Sequence, residues 1–507
     1  MRSTARATAL MALLAAVLAP ASPARAARSD WREMSVGHFH LYSVLGDSAT
    51  RNVARNLQAF EQTVGLMLQS DDRLPDVPTF IYLLDSRDFK QYAAPRPGVG
   101  GFFHEGLASN IIVVDGAEDF EWVKVAVFHE YTHFIQRNSR TVRYPPWFVE
   151  GYAELFSSFR LNKDSMVLGY PPKGLRIILD QWIPMERLLA VKSTDPEYKA
   201  EKLMPQFYGE SWALVHLLTF DDKALAVPTH QYLESMDVGF AEPEAFKNNF
   251  PFDKAALDVE LRKLIKGEVI HLRKIMIKDP LAFDEAPLKR MTVAQADAEM
   301  ARLMYSLRKA PSIVDTMIKQ AVAEAPGDIS TQALAARINA HETGNIDIPA
   351  LTALGTIEPA PLRARLDIAD ALLADGGTRE AAKPVLAMLD GVVQADDPPI
   401  EAVILWTRAA ELEDVAPARV AAVLEPASRR APHNTRLLQR LAVAAERLHD
   451  KGKAREYYTR IILVSSFPEE RAWAQKQADS ARLGDDPPAP PPPQRSGEKA
   501  RPAEHPQ

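Results

Sequence analysis

"FHEYTHF", residues 128 to 134, sets His129 and His133 four positions apart with Glu130 beside the first. On a helix, residues at i and i+4 share a face, so the two imidazoles stand one turn apart and can grip a single cation. Zinc takes imidazole nitrogen at about 2.0–2.1 Å. Glu130 points roughly 100° round the helix, clear of the ligand face but beside it. A general base belongs there, because zinc lowers the pKa of its water to about 7 and a neighbouring carboxylate can take the proton.

A catalytic zinc needs a third protein ligand and one open position. Pro145-Pro146 closes the stretch after this helix, and "WFVEGYAELFSSF" (147–159) follows. Glu150 and Glu154 are again four apart, on one face of a second helix. Glu150 is the expected third ligand. Glu154, one turn on, is expected to hydrogen-bond a ligand histidine and fix its tautomer, as outer carboxylates commonly do.

Upstream, residues 36–46, "VGHFHLYSVLG", read as a strand on which His38 and His40 share a face. A helical pattern covers 48–69. "PTFIYLLD" (78–85) and "NIIVVDG" (110–116) read as further strands, and 118–139 as the long helix carrying the histidines. Strands first and helices afterwards predict an α+β domain over residues 27–288.

From Met291 glycine thins out and alanine rises. Pro326, Pro361, Pro399, Pro432 and Pro468 stand 35, 38, 33 and 36 residues apart. About 34 residues is the period of a tetratricopeptide unit, a pair of helices. Gly344, Gly376-Gly377 and Gly452 are read as breaks inside the pairs. "GKAREYYTRIILVSSFP" resembles the second helix of such a unit, with Ala454 near its start. Residues 289–484 are therefore expected to form an all-α repeat domain, since one pair cannot bury its apolar face alone. The tail, 485–507, is proline-rich and polar and is expected to be disordered.

Residues 1–26 carry Arg2 and Arg6, an apolar run from Ala9 to Ala19, and Ala24-Arg25-Ala26. That is the pattern of a secretory signal peptide cleaved after Ala26, and it predicts a periplasmic or secreted protein. No later segment reads as a membrane helix. The net charge of −7 has no basic cluster, which argues against nucleic acid as a partner. With no cysteine, metal ligands must be His, Asp or Glu.

"HEYTH" and "WFVEGYAE", with sixteen residues between His133 and Glu150, resemble the gluzincin zinc peptidases, the clan of thermolysin and the zinc aminopeptidases. The second motif is similar to the aminopeptidase signature W-L-N-E-G-x-A, with Val149 in place of Asn. It is closer still to the smaller peptidase MA-like bacterial proteins, often exported and often joined to tetratricopeptide repeats. The resemblance implies a thermolysin-like domain with Zn²⁺ on His129, His133 and Glu150 and with Glu130 as base. It also implies a downstream Tyr or His to steady the oxyanion. Tyr208, in "PQFYGESWALVHLL" (205–218), is the candidate, with Tyr152 second. The exopeptidase signature Gly-x-Met-Glu-Asn is absent. "VGGFFHEG" (99–106) stands in a comparable place and offers a strand edge for an extended peptide. Endopeptidase activity is therefore favoured over aminopeptidase activity.

Two other readings stay open. The repeats could be the working part of a non-enzymatic interaction protein, with a structural or relic zinc site. Or the same residues could hydrolyse a non-peptide amide or ester. On the peptidase reading the partners are a peptide or protein substrate and a protein bound by the repeats. His104 is read as a cleft or surface residue, and His216 as a satisfied core histidine.

Overall fold

The computed structural model describes residues 30–483 and 503–506, apart from 69–76, 96–98, 107–108, 118–119, 140–143, 163–164, 174, 176–181, 201, 222, 238–239, 268–269, 277–282, 284–285 and 466–467. The leader and most of the tail lie outside the described residues. Among the described residues no helix is long and apolar enough to cross a membrane.

A mixed sheet forms the front half. Its strands are β1 (Arg32–Val36), β2 (Phe39–Ser43), β3 (Thr79–Leu84), β4 (Val99–Glu105) and β5 (Asn110–Asp115), joined at the far edge by β9 (Lys289–Arg290). The spatial order is β4-β5-β3-β2-β1-β9, with β10 (Ala503–Pro506) laid antiparallel outside β4. β2, β3 and β5 are parallel, with Phe39 opposite Thr79 and Thr79 opposite Asn110. A second, three-stranded sheet joins β6 (Arg160–Leu161), β7 (Ser165–Leu168) and β8 (Arg273–Met276).

The strand expected over 36–46 is instead the second arm of a hairpin. Gly37 turns the chain at φ +54°, and Val36 pairs with Phe39. His38 therefore sits in the turn, outside the strand's alternation. Its ring meets Tyr131, with Nε2 and the hydroxyl 3.2 Å apart, while His40 stacks on Phe80. The two histidines do not share a face.

Both faces of the sheet are buried. Phe39, Leu41, Ile81, Leu83, Ile112 and Val114 point into one core, with α1 (Asp47–Leu68) and α2 (Phe120–Ser139). The alternate residues Tyr42, Tyr82, Leu84, Ile111 and Val113 point into a second core. There they meet Met291, Met300, Leu303 and Met304, around the helix Val293–Ser306 that opens the C-terminal region. Thr292 and Gln295 start that helix with a reciprocal capping box. The chain beyond 288 thus completes the front half: β9 pairs with β1, and the next helix roofs the sheet.

Further α-helices run to Leu483, most packed on their sequence neighbours as hairpins. The periodic prolines lie at or shortly before helix starts. Pro361 and Pro399 precede Leu362–Leu372 and Ile400–Leu412, and Pro468 opens Pro468–Leu483. Gly344 ends its helix at φ +69°, as expected for a C-cap glycine. Gly452 does not mark a break. It lies in the first turn of Lys451–Val464, which Asp450 caps, so the break falls at Leu448–Asp450.

Candidate metal centre

α2 carries apolar and ligand-type residues on different sides. Phe128, Tyr131 and Phe134 enter the core, where Phe60 of α1 stacks on Phe128 at 4.7 Å. That fixes the helix and turns His129 and His133 toward α3 (Pro146–Ser157). Pro146 begins α3 at its first position, where proline's missing N–H costs nothing. Trp147, Leu155 and Phe156 anchor α3 in the same core.

The helices bring His129, His133 and Glu150 together, all fully buried. The two Nε2 atoms are 3.1 Å apart, and Glu150 Oε2 is 3.4 Å from each. A tetrahedron with arms of about 2.0–2.1 Å has edges of about 3.3–3.4 Å. The triangle therefore fits three corners of a zinc-sized tetrahedral site. Burying a carboxylate is costly unless charge or hydrogen bonds offset it, and Oε2 makes no hydrogen bond of normal geometry. Among the described residues this is the one group of three or more such side chains close enough to hold a metal ion.

Glu154 Oε1 lies 3.4 Å from Nδ1, the other nitrogen of His129. That is the position from which a carboxylate fixes a ligand histidine's orientation. Glu130 is fully buried one residue from His129. Burial opposes a charge on the His129 ring, but Glu150, Glu154 and Glu130 outweigh it and raise its pKa to about 10. Burial would lift the Glu150 carboxyl, yet the two histidines hold it well below the usual range. Three acids around two imidazoles make a pocket that favours positive charge.

Tyr208 belongs to the helix Met204–His216, and its ring lies parallel to His129 at 6.0 Å. Burial, then Glu150, Tyr198 and Glu130, push its pKa well above the ordinary tyrosine value. It therefore keeps its proton and stays a hydrogen-bond donor. Tyr152 instead stacks between Phe148 and Phe156. His216 is satisfied on both nitrogens, 2.9 Å from Asp221 Oδ2 and 2.9 Å from the His271 carbonyl. His104 is half-buried on β4, in register with Ile111.

The residue that sequence reading missed is Tyr198. Its hydroxyl donates to Glu150 Oε1 at 2.5 Å from 48 positions away. Neighbouring residues give no periodic signal. The nearest clue is Asp195-Pro196, a helix-start pair opening the single turn Pro196–Lys199.

No family model and no curated protein matches the chain.

Proposed function

We propose that this chain is an exported zinc-dependent metallopeptidase of gluzincin type, cleaving within peptides rather than at their amino ends. The observation that carries the reading is the triangle of His129 Nε2, His133 Nε2 and Glu150 Oε2, with edges of 3.1, 3.4 and 3.4 Å. His129, His133 and Glu150 would hold the ion. When bound, zinc supplies Lewis acidity, acidifying water and polarising the scissile carbonyl.

The protein's own groups do the rest. Glu130 takes the proton of the attacking water on its carboxylate and hands it to the departing amine. Its position one residue from His129 keeps it beside the ligands without joining them. Tyr208, held protonated, donates a hydrogen bond to the oxyanion that develops on the carbonyl. Glu154 keeps His129 presenting Nε2. β4 packs against α2, and its outer edge is paired antiparallel by β10, which a substrate would displace. An extended peptide would use the same backbone pairing. The C-terminal hairpins, read as tetratricopeptide-like, serve substrate or partner recognition.

The test uses purified full-length chain with casein or a peptide library. Glu130→Gln should retain zinc and lose hydrolysis by at least about 100-fold, the lower range of general-base effects. Equal cleavage by wild type and variant would refute the mechanism.

A further inference from the structure

We infer that Tyr198 is a positioning residue that holds Glu150 by one oxygen, so that only the other faces the metal and one coordination corner stays open. The inference rests on the metal reading above. Its starting point is a division of labour within one carboxylate. Oε1 accepts the Tyr198 hydroxyl at 2.5 Å, while Oε2 stands 3.4 Å from both histidine nitrogens.

A carboxylate near a cation can engage it through one oxygen or two. Engagement through both would crowd the corner that water and substrate need in a hydrolytic site. Swinging Oε1 inward would first break its bond to Tyr198. That bond is charge-assisted, and Glu150 is fully buried, where such bonds are strongest.

Tyr198 is itself tied down. It sits on the one-turn helix Pro196–Lys199, which is too short to be stable alone. Arg187 clamps that turn from the preceding helix, reaching Asp195 at 3.0 Å and Glu197 at 2.6 and 2.7 Å. The Tyr198 ring packs edge-on against Phe207 at 5.9 Å and beside Tyr208 at 6.4 Å. A tyrosine that merely filled space would work equally well as phenylalanine.

The experiment loads the full-length chain and Tyr198→Phe with cobalt(II), whose visible absorption is intense when four-coordinate and weak at higher coordination. The wild type should give the intense band. Tyr198→Phe should give a clearly weaker one, with zinc affinity by chelator competition falling about 10–100-fold, the usual cost of losing a ligand's hydrogen-bond partner. The spectrum decides: an unchanged band in Tyr198→Phe overturns the inference while leaving the metal site standing. A wild type that takes up no cobalt overturns both. Should Tyr198→Phe lose its circular dichroism, Arg187→Gln replaces it. Loosening the clamp should weaken the band in the same direction, and an unchanged band overturns the inference.

Discussion

Gly151 of α3 lies directly against the Ser211 backbone of the helix Met204–His216. A Cβ built on Gly151 would collide with the Ser211 carbonyl and the Val215 side chain. Glycine is needed here for close approach, and the φ at this position is not unusual. The helix behind α3 carries Tyr208, and Glu150 is the neighbour of Gly151. One contact therefore sets the spacing of a proposed ligand and the proposed oxyanion donor.

Gly151→Ala should force these helices apart at a cost of about 1–3 kcal/mol, the usual range for overpacking a core. Zinc affinity should fall although no ligand has changed. Thermal unfolding and chelator competition on the same preparation check both. A variant with wild-type zinc affinity would mean that helix spacing does not set the site.

The C-terminal region should depend on a buried cluster of ion pairs. Arg302 grips Asp367 with two hydrogen bonds of 2.8 and 2.6 Å, and Arg337 adds a third at 3.0 Å. Asp367→Ala strands Arg302 without its main partner and should cost about 3–5 kcal/mol, read from urea unfolding. Pairing Arg302→Met with Asp367→Leu should recover part of that loss, because the stranded Arg302 charge is gone while Arg337 keeps Asp370 and Glu299 keeps Arg363. A neutral single variant would contradict this.

The local parts of the site were legible in the sequence, because i,i+4 spacing is a property of one helix. His129 with His133, and Glu150 with Glu154, could be paired that way. Their convergence needed Trp147, Phe60 and Phe128 to pack α3 and α2 together, and no local pattern encodes that. The hairpin at Gly37 was hidden because a positive φ is a backbone property. The second core left a readable sign. "TFIYLL" and "NIIVVD" are apolar nearly throughout, the mark of strands covered on both faces. What covers the back, the helix Val293–Ser306, lies some 200 residues later. Tyr198 could not be read at all, since a hydroxyl reaching 48 residues back leaves no period.

Glu210 should give stability a pH dependence of its own. Burial pushes its pKa up to about 8, against the Ile183 amide and Gln206, which lower it, from an ordinary 4.5. The folded chain keeps this proton up to about 8, while the unfolded chain releases it near 4.5. The contribution is thus whole below 4.5 and is lost as pH rises through 8. Glu210→Gln should raise the melting temperature above pH 8 by several degrees and change it little below 4.5. Melting curves across that range check it, and a difference that does not vary with pH would be contrary evidence.

Metal content is the most direct measure of the central claim. Full-length protein, purified without chelators and dialysed against zinc, should hold one zinc per chain. His133→Ala and Glu150→Ala should each lose it, and Glu130→Gln should keep it. Wild-type protein without zinc, or a His133→Ala variant that retains it, would contradict the account.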